Sequence, residues 1–269
     1  MADYYVVNAF SDQLFHGNPA GVCVMDHPLS DDRMQKIAGE NNLPETAFLR
    51  KTKEGYSLRW FTPVAEIDLC GHATLASAYV VLNFMEPGKD EVEFETMSGT
   101  LTVHKENGRY EMTLPTRVPE RIKETEEIAE KVQTPVKEVY ADRDLFLVLE
   151  NEEAVRNYVP DYNRLAELDR WLGIVITAKG TDADFVSRYF CPELFDEDPV
   201  TGSSHCSLVP IWQEKLGKDR LIARQLSERG GVLFCEARGE KTIVSGAACL
   251  YLKGTLETGE QVSPIRSHR

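Results

Sequence analysis

The sequence predicts an α+β protein of two pseudo-symmetric halves, each a curved, mostly antiparallel sheet wrapped around one central helix. Three observations carry that prediction. The chain states one pattern twice: Arg59-Trp60-Phe61-Thr62-Pro63 runs into Glu66-Ile67-Asp68-Leu69-Cys70-Gly71-His72, and Arg188-Tyr189-Phe190-Cys191-Pro192 runs into Glu197-Asp198-Pro199-Val200-Thr201-Gly202-Ser203. The pattern continues beyond the glycines, where Gly99, Leu101, Val103 and Gly108 are answered 131 positions later by Gly230, Val232, Phe234 and Gly239. Each copy also places a largely apolar helix after its glycine, followed by several short strands. Two long copies indicate a duplicated unit, whereas a solenoid needs about three or more short ones.

The elements follow in order. Residues 4–9 and 21–25, rich in Tyr and Val, read as strands, with a Gly/Asn/Pro loop at 16–21 between them. Ser30 caps a helix over 30–41, with Asp31 and Asp32 in the electropositive first turn. Pro44 disfavours helix for Leu43, so 43–49 is extended, and 57–61 is a further strand. Residues 72–83 form a helix apolar around its circumference, hence buried on all sides. Its counterpart spans 203–216, where Pro210 suits a first turn or a kink and Gly217 supplies the stop. Strands follow at 92–96, 99–105 and 110–114, then at 221–226, 232–236 and 242–246. Glu106-Asn107-Gly108 and Ala237-Arg238-Gly239 are matched hairpin turns. The acidic, polar stretch 116–133 holds the crossover plus an exposed helix. The expected halves are 1–117 and 118–269, with the last strand a candidate to return to the first half.

A length of 269 residues accommodates two such units. A net charge of −14 with no basic stripe repels phosphate backbones, which excludes nucleic acid as a partner. A small anionic substrate stays open, because helix starts outweigh global charge inside a cleft. No apolar run approaches the roughly 18 residues of a membrane span, so no membrane partner is expected. Met1-Ala2-Asp3-Tyr4-Tyr5 lacks the basic and apolar start of a signal peptide, and the expected location is the cytoplasm. Cys23, Cys70, Cys191, Cys206, Cys235 and Cys249 form no Cys-x-x-Cys pair and read as reduced, mostly buried thiols.

A cleft between two such halves is a natural place for chemistry. Both central helices begin at a glycine, and a helix start exposes N–H groups and partial positive charge. Gly71 and Ala73 on one side, with Gly202, Ser203 and Ser204 on the other, are therefore candidates to grip the carboxylate of a small acid. A tight strand-to-helix turn would by itself also explain either glycine. Cys70, His72, His205 and Cys206 are zinc-ligand types. Their Cys-x-His and His-Cys spacings are not those of zinc motifs, however, and adjacent helical residues point about 100° apart. No metal is expected. Without a Gly-x-Gly-x-x-Gly fingerprint or a Walker-type loop, no nucleotide cofactor is expected either.

Gly17-Asn18-Pro19-Ala20-Gly21-Val22, Leu43-Pro44-Glu45-Thr46-Ala47-Phe48, Arg59-Trp60-Phe61-Thr62-Pro63, Asp68-Leu69-Cys70-Gly71-His72-Ala73-Thr74 and Glu197-Asp198-Pro199-Val200-Thr201-Gly202-Ser203 resemble, in order, the motifs of the phenazine-biosynthesis PhzF-like family. The resemblance covers essentially the whole chain. It implies the diaminopimelate epimerase-like fold, with the active site between two pseudo-symmetric domains. It also implies isomerisation of a cyclic dihydro-hydroxyanthranilate, without a cofactor, by a glutamate that transfers a proton. The matching residue is Glu45. A carboxyl group among apolar neighbours such as Leu43, Ala47 and Phe48 is eased towards its protonated form, which suits taking and returning a proton. The resemblance gives catalytic roles to His72, beside Glu45, and to Asp198, which orients a substrate group or a neighbouring side chain. It gives Ser203 a part in holding the substrate carboxylate, and it implies a homodimer. Ser204 departs from the alanine expected there. Diaminopimelate epimerase and related racemases place one cysteine on each side of the cleft. Here Cys70 precedes Gly71, but Thr201 precedes Gly202, and a threonine hydroxyl is far too weak an acid for a thiolate's role. The expected function is a cofactor-independent isomerase of a small carboxylic acid. A non-catalytic metabolite-binding protein, and a Glu45-based racemase or epimerase of amino or hydroxy acids, stay open as alternatives.

Overall fold

The computed structural model describes residues 1–53 and 55–259; the tail of the expected second half, 260–269, lies outside the described residues. The two halves repeat one pairing scheme. In the first, Ala2–Ala9 pairs antiparallel with Asn18–Met25, which pairs parallel with Glu45–Lys51. That strand pairs antiparallel with Tyr56–Phe61, which pairs parallel with Glu91–Thr96; Gly99–Glu106 and Arg109–Pro115 complete a meander. In the second, Glu138–Ala141, Leu145–Val148, Ile174–Lys179, Phe185–Cys191, Arg220–Gln225, Gly231–Arg238 and Lys241–Gly246 follow with the same senses in the same sequence. Two seams join the halves. Lys241–Gly246 pairs antiparallel with Arg109–Pro115, and Ala248–Leu256 crosses back to pair antiparallel with Ala2–Ala9.

The duplicated motif has a physical cause. Phe61 lies opposite Glu66 and Phe190 opposite Glu197 in matching short ladders. Each arginine two residues before the phenylalanine forks onto that glutamate, Arg59 through Nε and Nη2 at 2.6 and 2.7 Å, Arg188 at 2.8 and 2.7 Å. Arg188 stands 14 positions before Gly202, whereas Arg59 stands 12 before Gly71, and the 3₁₀ turn Pro192–Leu194 absorbs the difference.

The first central helix, Gly71–Val80, leaves only Gly71 and Tyr79 short of full burial, as an apolar circumference requires. It does not continue to Asn83 as an α-helix. Val81–Met85 widens into a π turn closed by Glu86 N–H donating to Val81 O at 2.8 Å. The Asn83 amide enters the ladder there, donating to Tyr79 O and Tyr110 Oη at 2.6 Å each. The second central helix, His205–Leu216, begins two residues later than expected, after a turn over Gly202–Ser204. Pro210 sits in its interior rather than its first turn. The carbonyl that Pro210 cannot bond, Cys206 O, accepts from Arg117 N–H at 3.1 Å instead. Gly217 ends the helix at φ 64°, with its N–H donating to Gln213 O.

Three further expectations shift. The strand Asn18–Met25 starts inside the predicted loop; Pro19 is tolerated because the parallel ladder begins only at Ala20. The second hairpin loop is Gly239-Glu240, one residue later than expected, because Arg238 still pairs with Lys241. The helix of the crossover, Thr125–Val132, is not wholly exposed, since Ile128 and Val132 anchor it in the second half's core. Both central helices share one apolar core with the strands around them, including Trp60, Phe94 and Phe185. Each such side chain stabilises the fold by about 1.5–3 kcal/mol on burial.

Candidate active site

Glu45 opens its strand directly after Pro44, opposite Ala20, with 16% of its side chain exposed. His72 is the second residue of the first central helix, with 7% exposed. The two meet: His72 Nε2 lies 2.9 Å from Glu45 Oε2. This is ion-pair distance without hydrogen-bond alignment, and both atoms are buried with no other partner among the described residues. On its other side the ring meets Cys70 Sγ at 3.5 Å and Asn18 Nδ2 at 3.3 Å. Burial alone lowers the pKa of His72, but Cys70 and Glu45 outweigh it, and the net direction is well above the ordinary histidine value. Cys70 is itself pushed up, first by burial and then by Glu45, while His72 and the Ala73 N–H pull it the other way.

Asn18 ties this pair to the second half. Its amide donates to Asp198 Oδ1 at 2.7 Å and to Val200 O at 2.9 Å. Those bonds use both hydrogens, so Nδ1 of His72 can turn a proton towards Cys70 while Nε2 turns one towards Glu45, as an imidazolium needs. Asp198 also accepts from Thr201 Oγ1, and Gln225 Nε2 donates to its main-chain oxygen at 2.8 Å. Burial pushes the Asp198 carboxyl upward and Glu45 adds to it, against opposing pulls from His72, Thr201 and Asn18. Thr201 is therefore a donor to Asp198, not a second base facing Cys70.

The two helix starts converge. A Cβ built on Gly71 would lie 3.8 Å from Gly202 Cα and 3.9 Å from Ser203 N. The N–H groups of Gly202, Ser203 and Ser204 have no partner among the described residues. Ser203 Oγ meets Arg143 Nη2 at 3.3 Å. Two expected binding groups are committed elsewhere. The Ser204 hydroxyl is turned back onto Thr201 O at 2.9 Å, so what Ser204 offers the cleft is its N–H. The Ala73 N–H acts on the Cys70 sulfur.

Glu45, Cys70 and His72 form the one metal-type cluster among the described residues. They do not suit a single ion, because Cys70 and Glu45 approach opposite nitrogens of the imidazole, which point apart. The zinc types of the second half fare no better: His205 Nδ1 is held by Thr201 O at 2.8 Å and Cys206 is buried. All six cysteines are free thiols. Two open surface hollows of about 440 and 550 Å³ contain neither Glu45 nor His72. The Glu45–His72 pair lies instead beside the place where the two helix starts converge.

Residues 7–254 match the family described as phenazine biosynthesis-like protein. An uncharacterized isomerase of Pseudomonas aeruginosa is 44% identical over 94% of this chain and 98% of its own. The chain belongs to the phenazine biosynthesis-like family of isomerases. A PhzC/PhzF protein of Clostridium difficile is 52% identical, with a TM-score of 0.92 over 96% of this chain and 100% of its own. A proline racemase of Agrobacterium radiobacter, at 10% identity, has a TM-score of 0.65 over 99% of this chain and 95% of its own, which shows shared fold alone. The fold is the diaminopimelate epimerase-like one expected. No described helix is long and apolar enough to cross a membrane. In this family member, reasoning from sequence missed Asn18, although it lies inside a quoted motif. It also missed Gln225 and Arg143, which no motif covers.

Proposed function

We propose that the protein is a cofactor-independent isomerase in which Glu45 moves a proton on a small carboxylic acid. The observation that carries this is the Glu45 Oε2–His72 Nε2 contact of 2.9 Å, buried and otherwise unpartnered. Glu45, as the carboxylate, removes a proton from a carbon activated by an adjacent unsaturated group. It then delivers a proton, exchanged with solvent while held on the carboxyl, to another carbon of the same molecule, so the substrate leaves isomerised and the enzyme unchanged. The charged His72 steadies the carboxylate before and after transfer. Asp198, fixed by Asn18 and Thr201, orients a polar substrate group, and the free N–H groups at the Gly202 helix start receive the substrate carboxylate. A racemase using two thiols is disfavoured by Thr201, whose hydroxyl is bonded to Asp198.

The test is deuterium incorporation from D2O into a panel of small unsaturated carboxylic acids. Glu45→Gln is expected to lower incorporation by about a hundredfold or more. Full incorporation by that variant would overturn the mechanism. Tight binding with no incorporation by the wild type would favour a metabolite-binding protein.

A further inference from the structure

The second half carries a cation where the first half carries none. Gly21 pairs with Thr46 and Leu145 with Ile174. Thr46 and Ile174 in turn face the duplicated Phe61 and Phe190. By that register Asp142, Arg143 and Asp144 stand where Asn18, Pro19 and Ala20 stand, and Gly173 stands where Glu45 stands. One side of the cleft thus presents a carboxylate beside a neutral loop. The other presents an arginine and no side chain at the carboxylate's position.

Arg143 rests on a rigid base. Its Nη2 donates to Asp144 Oδ2 at 3.0 Å and to Ser203 Oγ at 3.3 Å. Asp144, with 2% of its side chain exposed, also accepts from Tyr189 Oη at 3.0 Å. Gly173 makes room for that tyrosine, since a Cβ there would lie 2.2 Å from its ring. Asp142, the other nearby carboxylate, accepts from Ser207. The Arg143 side chain is 36% exposed, and its Nε and Nη1 have no partner among the described residues. Ser203, which Arg143 reaches, has its main-chain nitrogen 3.9 Å from a Cβ built on Gly71, the residue before His72. Burial raises the Cys191 thiol most, and Asp198, Asp196, Asp144 and Glu45 each add to it, so one sulfur lies within electrostatic range of all four carboxyls. The cleft also holds the buried, unpartnered Glu45 Oε2 and His72 Nε2.

We propose that Arg143 is a specificity-determining residue that selects a carboxylate substrate, taking it on the free Nε–Nη1 edge beside Ser203 Oγ and the Gly202 helix start. A planar fork matches two carboxylate oxygens, which a lysine cannot reproduce. In a chain of net charge −14 it supplies the local cation that an anion needs. This rests on the reading that the seam between the helix starts is the substrate site.

The experiment is calorimetric titration of wild type, Arg143→Lys and Arg143→Gln with a panel of small cyclic carboxylic acids and their uncharged primary amides. Arg143→Lys keeps a charge for Asp144, which protects the fold if Arg143→Gln strands that carboxylate. The wild type is expected to prefer at least one acid over its amide. Arg143→Lys should weaken that acid by about tenfold to a hundredfold while leaving the amide unchanged. Equal loss of acid and amide, an unchanged acid affinity, or a wild type that prefers no acid would each overturn the proposal. Glu45→Gln separates the two readings. If it retains deuterium incorporation while Arg143→Lys loses the acid preference, the proton-transfer mechanism falls and the role of Arg143 stands.

Discussion

His72 and His205 lie near the two helix starts, and their surroundings drive protonation in opposite directions. His205 is fully buried; its Nδ1 bonds Thr201 O and its Nε2 has no partner among the described residues. Burial lowers its pKa from 6.5 to about 4. The unfolded chain takes up that proton first, so stability falls as pH drops from about 6.5 to 4, by about 3 kcal/mol. His205→Gln, weaker at pH 7 for its lost packing, should show an acid-induced fall smaller by that amount in urea unfolding at pH 7 and 4. An identical fall would show that His205 does not carry it. His72 is raised, so its contribution is complete below about 6.5 and disappears as pH rises through its elevated folded value. The stability gap between wild type and His72→Gln should therefore narrow as pH rises above 6.5, and a constant gap would contradict the charged imidazole. His72 was legible because a motif surrounds it. Asn18 was present in a motif but roleless, because its partners Asp198 and Val200 lie 180 and 182 positions away.

The central helices show where local patterning fails at the level of elements. Their existence follows from apolar runs after a glycine, but their ends follow from distant contacts. The Asn83 amide reaches Tyr110, and Arg117 satisfies the carbonyl that Pro210 leaves open. Neither partner falls inside a helical window. The two starting glycines differ in the same way. A methyl at Gly71 would make ordinary contacts at 3.8 Å, whereas one at Gly202 would press to 3.2 Å on the ring of Phe10. Phe10 is fully buried at φ 63° and has little freedom to yield. Gly202→Ala should therefore cost about 1–3 kcal/mol. Gly71→Ala should keep its unfolding free energy within about 1 kcal/mol yet fill the gap between the helix starts. Its affinity for the preferred acid should fall tenfold or more. A Gly71→Ala protein that binds as the wild type does would show that the gap is not where the substrate sits.

At the scale of the molecule, the duplication was legible because each copy repeats a local device, while the seams were not, because they pair strands about 130 and 250 positions apart. The device is an arginine with three arms. Two arms fork onto a glutamate, and the stem lays the guanidinium over a phenylalanine, 5.3 Å from Phe61 for Arg59 and 5.0 Å from Phe190 for Arg188. The third arm holds an outer helix. Arg59 Nη1 donates to Asp31 at the start of Asp31–Asn41 at 2.8 Å, and Arg188 Nη1 donates to Tyr158 O at the end of Glu152–Asn157 at 2.6 Å. The copies differ in depth. The Arg188–Glu197 side chains are 12% and 18% exposed, against 30% and 23% for Arg59–Glu66. Water screens the shallower pair more, and the Asp31 end of its third arm is 78% exposed. Removing Arg188 strands a more desolvated carboxylate and a helix-end carbonyl together. Arg188→Ala should therefore destabilise the protein by about 3–5 kcal/mol, and Arg59→Ala by about 1–2 kcal/mol. Equal costs in denaturant unfolding would mean that depth does not set the strength of the repeated bridge.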